Sequence, residues 1–309
     1  MSFVKSLKEV KVFPIKEYLQ YVNLAELHKK ITEFRDLDIK NLKYTEIQES
    51  ILKVISFTTP IGDCCLLKPH MASYPKGTRF YRIRAIPEGI DDFPLKSMST
   101  ISDCWEPPAH VVGIGRLNKV NESLLYVSPT PDTACEELRV LNNEYFSLIV
   151  YEALEEIKVS CIGFAPNVNG LSEEEALKLR MIQDFLKHEF IRDVGKGTEF
   201  LYKISESITK DYFDLPPELQ DAWCYPSIAN KGGYNVCFKP QDRNKLKLHG
   251  VQIAKAFKFD EGYAFKVKLV GKLSSNNNDL SFYTIGTNQQ KELFPEISTQ
   301  IPEGVVEEI

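Results

Sequence analysis

An α+β fold is predicted for this chain on three observations. Apolar residues recur at helical spacing over two stretches near the N-terminus. Short segments in the middle and towards the C-terminus instead alternate apolar and polar residues, as half-buried strands do. Between those strand segments lie further helix signals, so helices and strands interleave along the chain.

The helical stretches come first. Tyr18, Leu19, Val22, Leu27, Ile31 and Phe34 mark one run from Ile15 to Phe34. Ile47, Ile51, Leu52, Val54 and Ile55 mark a second from Thr45 to Phe57. Each reads as an amphipathic helix whose apolar face needs cover from the following domain or a second protomer. Thr59-Pro60-Ile61-Gly62 and Lys68-Pro69 then punctuate a loop. Residues 1–75 are therefore expected to form an N-terminal helical unit.

From Thr78 the pattern changes. Arg79-Phe80-Tyr81-Arg82-Ile83-Arg84 alternates like a half-exposed strand, and residues 87–110, rich in Pro, Asp and Ser, read as a long loop. Leu124–Val127 is a short buried strand. Thr130 and Asp132 are N-cap candidates for a helix that carries Glu136 and Glu137 and runs to about Leu141. Phe146–Leu154 and Glu156–Phe164 read as strands. Ser172 followed by Glu173-Glu174-Glu175 opens a helix ending near Phe190, and Phe200–Lys210 reads as another. Tyr234–Phe238 is a buried strand after a Gly-Gly turn. Tyr263–Leu273 and Leu280–Ile285 alternate as strands around Ser274-Ser275-Asn276-Asn277-Asn278, and the tail Pro302–Glu308 is expected to fray. Residues 76–250 are thus the expected main domain, with 251–309 adding strands and a tail to it.

Composition narrows the function classes. A hydrophobic content of 43% with 26% charged residues fits a water-soluble globular chain, and no run approaches the ~20 apolar residues of a membrane span. The N-terminus opens no long apolar run, so no signal peptide and a cytoplasmic setting are expected. A net charge of −5 argues against direct nucleic-acid binding. The seven cysteines are scattered, match no zinc or disulfide spacing, and are expected to be reduced. The five histidines fit no metal motif, so no metal site is expected. Gly113-Ile114-Gly115 lacks the rest of a dinucleotide fingerprint, and Gly195-Lys196-Gly197-Thr198 lacks the upstream glycine of a P-loop.

The residues that could carry chemistry are an arginine, a glutamate and a serine. Arg82 follows the aromatic pair Phe80-Tyr81 on its strand. It is either a solvated edge charge or a fork of donors for a phosphate or ribose hydroxyl. Glu136 and Glu137 lie early in their helix, where carboxylates also simply complement the helix dipole. Ser227 ends Tyr225-Pro226-Ser227, a turn-forming context, and no His–Asp pair stands at a spacing that would make it a nucleophile. Tyr81, Tyr126 and Tyr225 are aromatics beside these positions, able to stack on a base or to pack in the core.

In this order, Phe80-Tyr81-Arg82, Gly115-Arg116-Leu117-Asn118, Thr133-Ala134-Cys135-Glu136-Glu137 and Tyr225-Pro226-Ser227 resemble the motifs of the RES domain family. These are toxins of bacterial toxin–antitoxin systems with a core like that of ADP-ribosyltransferases. The resemblance covers roughly residues 76–250. Leu117 stands where the family has an aromatic, and Lys119-Val120-Asn121 replaces a common Pro-Pro-Gly. The resemblance implies a mixed sheet core with a cleft, NAD as substrate, and Arg82, Glu137 and Ser227 as the catalytic set. It selects Glu137 over Glu136, because the family's glutamate stands three residues after the Ala of its Thr-Ala pair. It further implies that Arg116, Asn118, Tyr126 and Tyr81 contact the nucleotide. The activity it implies is cleavage of the nicotinamide–ribose bond with water or phosphate. Protein ADP-ribosylation and a non-enzymatic binding or regulatory role on the same scaffold are the alternatives. A cognate antitoxin and a homo-oligomer are the partners to be expected.

Overall fold

The computed structural model describes residues 14–65, 67, 69–87, 93–164, 168–260 and 262–298. The expected fraying of Pro302–Glu308 lies outside them. In chain order the elements are α1 (Ile15–Tyr21), α2 (Leu24–Arg35), α3 (Tyr44–Ile55), β1 (Phe57–Thr59), β2 (Gly62–Cys64), β3 (His70–Tyr74), β4 (Arg79–Arg84), β5 (Leu125–Val127), α4 (Pro131–Leu138), β6 (Tyr145–Ala153), β7 (Ile157–Cys161), α5 (Glu173–Phe190), α6 (Tyr202–Tyr212), β8 (Ala222–Pro226), β9 (Tyr234–Phe238), β10 (Leu246–Phe259), β11 (Gly262–Leu273), β12 (Leu280–Thr284) and α7 (Asn288–Leu293). The chain is α+β, as its patterning predicts. It divides into two compact units: the described residues of 1–70, 114–119 and 161–215, and those of 71–113, 120–160 and 216–309.

The first unit is helical and larger than residues 1–75. Its N-terminal run is broken into α1 and α2 because Asn23 caps the second helix, accepting a bond from the Glu26 amide at 3.0 Å. Ser172 caps α5 through a reciprocal box with Glu175. The apolar faces of the first three helices are covered within the unit. α1 and α2 pack on α5, and α3 packs on α6. Phe34 meets Phe185 edge-on at 5.2 Å between ring centres. The segment read as a loop after Phe57 forms the β1–β2 hairpin, which turns at Pro60-Ile61 into Gly62 at a φ of 108°.

The second unit is built on two five-stranded sheets, ordered β12-β11-β10-β6-β4 and β3-β7-β8-β9-β5. The first is antiparallel throughout. Its central strand, β10, carries the continuous buried run Gly250–Ala254, which has no alternation to read. Gly250 is needed there, since a Cβ would stand 2.9 Å from the Gly271 carbonyl. The sheets meet at their edges. Tyr81 on β4 and Ser128 just beyond β5 exchange two backbone hydrogen bonds of 2.8 Å. Beside this joint, Phe80 is fully buried, edge-on to Tyr74 of β3 and Phe238 of β9.

Strand alternation gives the two faces of the first sheet different covers. Ile83, Phe146, Leu148, Val150, Ala254 and Val270 form one apolar face, on which Ala134 and Cys135 of α4 and Phe294 pack. Arg82, Arg84 and Tyr151 serve the segment that crosses the other. Arg82 Nη1 donates to the Trp105 carbonyl at 2.7 Å, Arg84 Nη1 donates to Asp103, and the Tyr151 hydroxyl donates to the Cys104 carbonyl.

Phe80→Ala empties the position where rings of three strands converge and is expected to cost ~3–5 kcal/mol in chemical denaturation. Phe259→Ala, at a largely exposed position of β10, is expected to stay within ~0.5 kcal/mol of the parent. Equal effects would show that the ring cluster does not hold the unit together.

Candidate active site

Helix α4 sets the geometry. Thr130 caps it, accepting from the Thr133 amide, and Pro131 occupies its first turn. Arg139, in the left-handed region at a φ of 54°, stops it. Successive side chains on a helix point about 100° apart. With Ala134 and Cys135 buried against the sheet, Glu136 and Glu137 leave in different directions. Glu136 meets Lys258 at 2.6 Å. That bond holds its carboxyl below the usual value; partial burial opposes the shift and the Tyr263 hydroxyl adds to it. Burial pushes the Cys135 thiol up to about 12, with Asp132 and Glu136 adding to the rise, so it is no thiolate near neutrality.

Glu137 is held differently. Its Oε1 accepts from the Ser227 hydroxyl at 2.6 Å and from Asn235 Nδ2 at 2.6 Å. The other end of the asparagine amide, Oδ1, accepts from the Ser128 hydroxyl at 2.7 Å. The amide is thereby fixed with its donor towards the glutamate. The backbone of Asn230 donates to Ser227 Oγ at 2.9 Å, and its side chain donates to Thr133 Oγ1 at 2.8 Å. Gly233 leaves room for this network, since a Cβ there would stand 2.7 Å from Thr133 Oγ1. Ser128, Asn235 and Ser227 are buried, whereas Glu137 reaches solvent. Among the described residues, no hydrogen bond or ion pair reaches Glu137 Oε2.

The glutamate lines a cavity of about 280 Å³ beside the joint of the two sheets. Tyr81, Arg82, Tyr126, Ser128, Tyr225 and Asn235 line it with Glu137, along with the apolar Ile83, Val127, Ala134 and Leu138. No histidine does. Ser227 stands behind the wall, its proton directed to Glu137, in the geometry of an orienting group.

Of the residues singled out in the sequence, the structure brings Tyr81, Arg82, Tyr126, Tyr225 and Glu137 to one cavity and attaches Ser227 to Glu137. Arg82 contributes to the wall, but its Nη1 is engaged by the Trp105 carbonyl. Arg116 and Asn118 belong to the helical unit. Arg116 donates to the carbonyls of Phe190 and Arg192, closing the C-terminus of α5, and lies over the rings of Phe190 and Tyr202. Asn118 is buried and donates to the Lys119 carbonyl at 2.8 Å. Ser128, Asn230 and Asn235 were not among the candidates. The readable signal for Asn235 is one amide opening the apolar run Val236-Cys237-Phe238. Ser128 and Asn230 carry no such mark.

The chain matches no protein-family model, and no curated protein matches its sequence.

A double-mutant cycle tests whether the buried relay acts as a unit. Ser128→Ala and Asn235→Ala are each expected to cost ~1–3 kcal/mol by leaving a buried polar partner unmet. Together they should cost less than the sum, by ~0.5–3 kcal/mol. Strict additivity would mean that the two side chains are not coupled.

Proposed function

We propose that this chain is an enzyme of the RES type that consumes NAD by cleaving its nicotinamide–ribose bond, with water or phosphate as acceptor. One observation carries the reading. Glu137, the glutamate selected by the resemblance, is clamped through Oε1 and lines a cavity together with three tyrosines. The order of the Phe80-Tyr81-Arg82, Thr133-Ala134 and Tyr225-Pro226-Ser227 segments supports it, because residues from all three meet around this carboxylate.

In this reading the C1′–N bond breaks and its electron pair goes to the pyridinium nitrogen, which leaves as neutral nicotinamide. Positive charge accumulates on the ribose ring. A fixed carboxylate beside that ring stabilises the charge as it develops. Ser227 and Asn235 contribute by orientation, keeping the carboxylate from turning away as the substrate enters. The proposal extends to a cytoplasmic toxin that a partner protein keeps in check.

The test is nicotinamide release from NAD by purified Glu136→Gln and Glu137→Gln variants beside the parent. Glu137→Gln is expected to lower the rate ~10²–10⁴-fold with NAD affinity changed only a few-fold. Glu136→Gln, whose carboxylate is occupied by Lys258, should remain within a few-fold of the parent. Parent protein that leaves NAD intact, or a Glu137→Gln variant with full activity, overturns the proposal. Transfer of labelled ADP-ribose to other proteins, in place of free product, would assign the same site to protein modification.

A further inference from the structure

Resting on that reading, we infer that the site recognises the cationic ring riboside as a chemical class and that the diphosphate of NAD is dispensable for cleavage. Three features point there. The first is size. At about 280 Å³ the cavity sits at the lower end of small-ligand clefts, which run from ~300 to 1,000 Å³. A nucleoside fills such a space, and the remainder of a dinucleotide extends beyond it.

The second is charge. The arginines expected to grip phosphate spend donors elsewhere: Arg82 Nη1 on the Trp105 carbonyl, Arg116 on the carbonyls that end α5. Among the described residues lining the cavity, Arg82 is the sole cation and no lysine is present. The third is the character of the wall. Tyr81, Tyr126 and Tyr225 line the cavity together with the carboxylate-bearing Glu137. Aromatic rings and a carboxylate together attract an organic cation, and the carboxylate repels a phosphate.

The class is an N-riboside whose base is a positively charged heteroaromatic ring, of which nicotinamide riboside is the smallest probe. Its cleavage balances without a co-reactant beyond water. The C1′–N bond breaks, its electron pair neutralises the ring, water adds to C1′, and one proton is released.

Nicotinamide release from nicotinamide riboside and from NAD, followed side by side, decides the matter. We expect a kcat/KM for the riboside within about 30-fold of that for NAD, since truncation removes only contacts outside the cavity. NAD cleavage with a larger deficit for the riboside overturns the inference and leaves the NAD reading standing. If neither is cleaved, the NAD reading falls and binding decides the inference. Equilibrium dialysis should then show the riboside held about 10-fold more tightly than its reduced, uncharged dihydro form. Equal binding overturns it. Arg82→Gln supplies a further arm, read as a ratio and so insensitive to partial misfolding. It should affect NAD and the riboside by the same factor; a loss confined to NAD would restore Arg82 as a phosphate grip and overturn the inference.

Discussion

Two backbone hydrogen bonds between Tyr81 and Ser128 are the constraint on which the candidate site depends. They tie an edge of the antiparallel sheet to the end of β5 in the second sheet, and they position both of the residues that make them. Tyr81 is thereby placed in the cavity wall. Ser128 is placed so that its hydroxyl reaches Asn235 on the adjacent strand β9. The same joint thus fixes the wall of the cavity and one end of the chain of donors that ends on Glu137. The other end is fixed by the turn between β8 and β9, through Ser227 and Asn230. A carboxylate on a short helix would otherwise sample several rotamers, at the entropic cost that any ordered side chain carries.

The elements with strong local signals were legible. The capping serine and acidic start of α5 appear in the structure where the chemistry of their residues puts them, and β4 is the strand its pattern announces, although its buried residues, Phe80 and Ile83, lie on opposite faces and none of its residues is exposed. What the sequence hid has physical causes. β10, buried on both faces at its centre, shows no period, so its neighbours β6 and β11 were readable as strands and it was not. α5 and α6 looked like parts of the main domain, because nothing in their own sequence says that their apolar faces cover α1, α2 and α3. That pairing is a long-range packing choice.

The candidate site was legible in part, for a similar reason. Motif order pointed to Glu137 and Ser227, which do meet. It did not show that Arg82 Nη1 and the Arg116 guanidinium donate to main-chain carbonyls, because a bond to a carbonyl is invisible in the identity of the residue that supplies it. Nor could it show Asn230, whose role arises from the fold of a turn.

The nature of the groups that hold Glu137 has a consequence of its own. Serine and asparagine carry no net charge. They hold the glutamate still without cancelling its field, whereas Glu136 one residue earlier is held by an ammonium that largely neutralises it. Two adjacent carboxylates of the same helix therefore differ in what an approaching solute feels. Past Glu136 the surface is close to electrically balanced. At Glu137 the charge is held in place by neutral groups and no ion pair cancels it at contact distance, so it biases the approach to the cavity towards cations, against the single arginine, Arg82, in the same wall.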